Sequence, residues 1–117
     1  MPINIKRAYV EASPDDGWRV LVDRIWPRGR SKEELKLDVW HKDLSPSPEL
    51  RKWFGHDPAK WEEFLRRYHA ELEAKRAAVD AFILELKAHK KVTLVYGAKD
   101  EQRNQAVALM KYLEKKF

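Results

Sequence analysis

The chain of 117 residues contains no cysteine. That absence excludes disulfides, thiol catalysis, zinc–thiolate centres and iron–sulfur clusters. Glycine is scarce: Gly17, Gly29, Gly55 and Gly97 are the full set, and each is isolated. No Walker loop, G-x-G-x-x-G turn or G-x-S-x-G elbow is present, so any phosphate must be held by side chains and helix ends. His41, His56, His69 and His89 share no ligand spacing and H-E-x-x-H is missing, so neither a metal nor another cofactor is expected. No apolar run approaches the roughly 20 residues that span a bilayer. Met1 to Lys6 carry no apolar signal-peptide core. A cytoplasmic protein with no membrane partner is the expectation.

Charge, by contrast, is plentiful. Charged residues make up 37% of the chain and the net charge is +5, a balance that favours acidic ligands, nucleic acid included. Part of the excess has a plainer role. Lys111, Lys115 and Lys116 fall at the end of the last predicted helix, where cations complement the helix dipole.

Two short apolar runs read as buried strands. Trp18 to Ile25 contains Val20-Leu21-Val22, and Val92-Thr93-Leu94-Val95-Tyr96 is the second. Ile3 and Ile5 mark a shorter, half-polar strand, and Leu37 to Leu44 is ambiguous. Ser31 is placed to cap a turn at Lys32 to Leu35. Ser47-Pro48 and Asp57-Pro58 have the cap-plus-proline grammar of helix starts, and Gly55 that of a helix end. Trp61, Phe64, Leu65, Tyr68, Leu72, Val79, Phe82, Ile83 and Leu86 lie at helical spacing, interrupted by Lys75 and Arg76. This is one long helix or two with a soft break. A last amphipathic helix is predicted from about Glu101, with Ala106, Leu109, Met110, Leu113 and Phe117 inward. Strands alternating with helices give an α/β fold: a single domain over 1–117, with a short, mainly parallel sheet flanked by helices. Its core is expected from Val20, Val22, Leu94, Phe64, Leu65, Phe82, Leu109 and Leu113.

The crevice at the carboxyl ends of such strands is where α/β folds bind ligands. The first buried strand runs there into Asp23 and Arg24, followed by Trp26, Arg28 and Arg30. The second runs from Tyr96 into Lys99, Asp100 and Asn104. Arginine forks match phosphate or carboxylate, which makes Arg24, Arg28 and Arg51 the anion holders. The plainer account pairs Asp23 and Arg24 with neighbours and uses Asp100 or Asn104 as helix caps. Trp26, Trp53 and Tyr96 could stack on a ligand, or serve the core. Asp23 and His56 are the groups able to move a proton. Asp57 could orient the His56 imidazole, yet helix-cap grammar accounts for Asp57 completely and would leave His56 packing on Trp61.

Three ordered blocks carry a family likeness: Arg19 to Gly29, Pro46-Ser47 with Leu50 to Pro58, and Tyr96 to Asn104 with Ala106-Val107. Together they resemble the YeaO-like proteins, a branch of a bacterial and archaeal family catalogued as a domain of unknown function. His41, Gly97 and Arg103 depart from its pattern. The resemblance implies a small cytosolic α/β domain and supplies no activity. It does place the polar residues named above inside the family's motifs. The expected function is an anion site at the strand ends, catalytic or not, for a phosphorylated small molecule or nucleotide. The alternative is a single-stranded nucleic-acid module using the same arginines and tryptophans. The carboxylates Asp23, Asp57 and Asp100 among the arginines favour a pocket over a basic surface.

Overall fold

The computed structural model describes residues 3–116. Four strands, β1 (Ile3–Arg7), β2 (Trp18–Leu21), β3 (Val39–Trp40) and β4 (Val92–Tyr96), form one sheet in the order β1-β4-β2-β3. Every pairing is parallel, so all carboxyl ends lie along one edge. The two predicted buried strands, β2 and β4, are neighbours at the centre. The strand predicted over Trp18 to Ile25 stops at Leu21, and the ambiguous Leu37 to Leu44 segment contributes only the two-residue β3.

The helices follow their local grammar. Helix α1 (Lys32–Leu35) starts at a Ser31 capping box, and α2 (Pro48–Phe54) starts at Ser47 and ends at Gly55. Asp57 accepts from the Ala59 N–H and caps a 3-10 turn that leads into α3 (Trp61–Ala74). The soft break is real: α3 and α4 (Arg76–Lys87) meet at Lys75 without glycine or proline. Helix α5 (Gln105–Glu114) begins later than Glu101. The cause is local. Asp100 accepts from the Gln102 and Arg103 N–H groups and holds a turn there. Asn104, in extended backbone, then caps the helix through the Val107 N–H. Phe117, expected on the inner face of this helix, lies outside the described residues. No described helix is long and apolar enough to cross a membrane.

Alternation along β2 and β4 divides the core between the sheet faces. Val20, Val22, Leu94 and Tyr96 pack under α2 to α5 with Phe54, Phe64, Phe82, Leu109 and Leu113, and Leu65 packs against that cluster. Leu21 and Val95 point the other way, against Ala8 and Leu35, with Trp26 and Trp40 alongside. At the amino-terminal edge of the sheet, Gly17 has φ +68° and a Cβ there would lie 2.4 Å from the Lys91 carbonyl oxygen. Only glycine allows the chain to enter β2 that close.

One ion cluster pins the start of the sheet. Asp16 accepts from Lys6 Nζ at 2.8 Å and from the Arg19 guanidinium at 2.6 Å, with Arg19 4% and Asp16 7% exposed. Arg19 Nε also donates to the Leu35 carbonyl. Burial opposes Asp16 ionisation, but the hydrogen bonds from Lys6, Ser13 and Arg19 outweigh it and hold its pKa below the ordinary value. Asp16→Ala would strand the Arg19 charge, and such a loss costs about 3–5 kcal/mol. Urea denaturation at pH 7 should show that decrease, within one cooperative transition for both proteins. Two separated transitions in the wild type would contradict a shared core.

Candidate functional site

The ends of β2 and β4 sit side by side, and Asp23 is the residue that joins them. Its Oδ2 accepts from the Gly97 N–H at 2.8 Å, and its Oδ1 accepts from the Gln105 side-chain amide at the start of α5. Its backbone carbonyl accepts from the Trp40 indole N–H at 2.7 Å. A Cβ at Gly97 would stand 3.2 Å from Asp23 Oδ2, so the absence of a side chain there permits the close approach. Burial raises the Asp23 pKa to about 6, only partly offset by the Gly97 and Gln105 hydrogen bonds and by the charges of Arg51 and His56.

Around this carboxyl lies a cavity of about 210 Å³ lined by Asp23, Arg24, Ile25, Arg51, His56, Gly97, Ala98 and Gln105. Arg24 Nε is buried and has no hydrogen-bond partner among the described residues. Arg51 comes from the middle of α2. His56 arrives through an unusual backbone: Gly55 (φ 53°) and His56 (φ 57°) are both left-handed. For a non-glycine residue that conformation costs roughly 1–2 kcal/mol. It turns the chain sharply after α2, and His56 ends on the wall of the cavity. Asp57, facing its own helix turn, is the cap that the sequence grammar describes.

Of the other predicted site residues, most are placed elsewhere. Trp26 donates its indole N–H to the Arg30 carbonyl at 2.6 Å and packs edge-on against Trp40. Trp53 lies under Lys60 and Arg67, which stand 5.1 and 4.3 Å from its ring. Tyr96 is buried in the core, and burial pushes its hydroxyl pKa up. Asn104 is the α5 cap, and its amide also donates to the Asp100 carbonyl at 2.8 Å. Arg30 bonds the Ala8 carbonyl and Glu34. Arg28 and Lys99 are exposed and do not line the cavity. Asp100 stands outside the wall, although the His56 charge acts on it; its carboxyl is held low chiefly by the Gln102 and Arg103 N–H groups.

Gln105 is the site residue that sequence reasoning missed. Its one signal was adjacency to the Asn104 cap, which places it in the first turn of α5 beside the strand ends. Among the described residues, no group of three or more His, Asp or Glu side chains could hold a metal ion. Chemically, the cavity offers two guanidinium groups, one imidazole, a neutral amide and one carboxyl poised to ionise near pH 6.

The family model described as the inactive DUF488-N3 subclade matches residues 2–117. The chain is 41% identical over 118 aligned positions to the uncharacterized protein YeaO of Escherichia coli strain K12, covering 97% of each chain. It is 39% identical over 111 residues to the uncharacterized protein Rv3073c of Mycobacterium tuberculosis, covering 95% of this chain and 92% of that one. No solved structure matches.

The raised pKa of Asp23 has a defined effect on stability. A group whose pKa is higher in the folded than in the unfolded chain contributes fully below the unfolded value, 3.8, and loses that contribution as pH rises through about 6. Asp16 acts with the opposite sign and at lower pH, its contribution fading as pH falls below about 3.8. Between pH 4 and 7 the Asp23 contribution lost is at most about 3 kcal/mol. Asp23→Asn should flatten that slope in denaturant titrations. A parallel slope in the two proteins would show that Asp23 ionises normally.

Proposed function

The chain belongs to the inactive DUF488-N3 subclade, and on that footing we propose that it is a binding protein for a compact anion, phosphate- or carboxylate-like, rather than an enzyme. The observation that carries this reading is Arg24, whose side chain lines the Asp23 cavity and whose buried Nε has no hydrogen-bond partner among the described residues. A buried guanidinium N–H without an acceptor costs free energy, and a bound oxyanion would satisfy it. Arg51 supplies a further positive charge and His56 an imidazole. Asp23 supplies a condition. While ionised it repels the anion; protonated, it can donate a hydrogen bond to it.

Supporting this reading is what the site omits. Asp23 is the one carboxyl on the cavity wall. Both its oxygens are already occupied by the Gly97 N–H and the Gln105 amide, which suits a positioning group better than a free base. The description of the family as inactive agrees with recognition without turnover. Single-stranded nucleic acid is the poorer fit. Trp26 is engaged in the fold and Trp53 already stacks with cations.

Sulfate tests the proposal, because its charge is constant over the pH range concerned. At about 100 times its Kd it should stabilise the wild type by about 2.7 kcal/mol, read as a higher melting temperature. Arg24→Ala should melt close to the unliganded wild type and show no sulfate response. In the wild type, sulfate should bind more tightly at pH 5 than at pH 7.5, as Asp23 becomes neutral. Asp23→Asn should lose the Asp23 share of that dependence. A badly destabilised Arg24→Ala, together with a wild type indifferent to sulfate and phosphate, would make Arg24 structural and end the proposal.

A further inference from the structure

A second cavity of about 200 Å³ adjoins the first. Arg51, His56 and Gln105 line both, and so form a common wall. The character changes across that wall. On the far side stand Pro48, Phe54 and Phe64, with the Lys52 side chain at the same cavity. The two phenylalanine rings are stacked, with centroids 4.3 Å apart and planes 20° from parallel, and both are nearly buried. They are fixed in the core and present a rigid apolar wall.

Size narrows what can enter. Small-molecule sites enclose about 300–1,000 Å³, so each cavity alone falls below the range and the two together reach it. An apolar cavity of about 150 Å³ accommodates benzene, so the space beside Phe54 and Phe64 suits a single six-membered ring. The space beside Arg24 suits an oxyanion. The three residues on the common wall are those able to bind a linking atom: Arg51 and Gln105 as hydrogen-bond donors, His56 as donor or acceptor. The left-handed backbone at His56 is what brings its ring to both compartments.

We propose that the two cavities form one bipartite site for a phosphate monoester of a small aromatic ring, with the phosphate beside Arg24 and Arg51 and the ring beside Pro48, Phe54 and Phe64. This rests on the anion reading above and extends it by naming the non-ionic half of the ligand. The common wall straddles the ester oxygen. An aliphatic phosphate satisfies the first compartment and leaves the second filled with water.

Isothermal titration at one fixed pH, with methyl phosphate and phenyl phosphate as probes, tests the inference. The two carry similar charge and differ in the ring. Phenyl phosphate should bind at least about tenfold more tightly, from the apolar area its ring buries. Pro48 is exposed at the first position of α2, so Pro48→Trp should fold normally and fill the apolar compartment. In that variant the affinities for the two esters should converge. Equal affinities of the two esters in the wild type, both abolished by Arg24→Ala, would overturn the bipartite site and leave the anion site standing. A phenyl advantage that persists in Pro48→Trp would also overturn it. Binding of neither ester, nor of sulfate, would remove both readings.

Discussion

The Asp23 carboxylate is the tie on which the carboxyl-end edge of this molecule depends. Three separate segments meet there: the chain leaving β2, which carries Asp23; the chain leaving β4, whose Gly97 N–H it accepts; and the start of α5, whose Gln105 amide it accepts. Trp40, in β3, fastens the same residue from behind through its carbonyl. None of these partners is local in sequence, so one half-buried carboxyl sets the relative height of three strand ends and a helix start. The tie is made at a disadvantage. Burial makes ionisation costly, and the hydrogen bonds recover only part of that cost. A structural knot with a pKa near neutrality is also a local sensor of charge. That is why the stability of this edge varies with pH through the same group.

The arginines divide between two kinds of work, and the division follows burial and available acceptors. Arg19 is consumed by Asp16 and the Leu35 carbonyl, and Arg30 by the Ala8 carbonyl and Glu34. Arg24 alone of this stretch reaches the cavity with a buried N–H left over. The aromatic residues divide in the same way. Trp26 has an N–H that must be satisfied, and the Arg30 carbonyl satisfies it at once, so the ring serves the fold.

Local grammar was legible in the sequence wherever a single turn decides the outcome. Ser31 and Ser47 cap the helices that their spacing predicts, Asp57 caps the turn that leads into α3, and β2 and β4 stand within their apolar runs. Asp23, Arg24, Arg51 and His56 could be named because charge placed directly after a buried strand or beside a helix-ending glycine has few other uses. Gln105 could not. Nothing next to it in the chain marks a glutamine as the partner of a carboxyl 82 positions away. Similarly, the start of α5 was misjudged because Asp100 competes for the N–H groups of Gln102 and Arg103, and helical periodicity carries no trace of that competition. The left-handed backbone of His56 was hidden for a different reason: glycine advertises such a conformation and histidine does not.

The strand order has a consequence for how the chain comes into being. β4, the next-to-last regular element, is the strand that separates and joins β1 and β2. During synthesis from the amino terminus, β1 therefore has no strand to pair with until residues 92–96 have been made. Up to that moment the nascent chain can gather α2, α3 and α4 into a helical cluster and can join β2 to β3, but it cannot close a sheet. Such non-local parallel pairing is slow to form and leaves strand edges open while it waits. The period of greatest exposure to misassociation is thus the interval before β4 emerges, and the order of translation alone decides it.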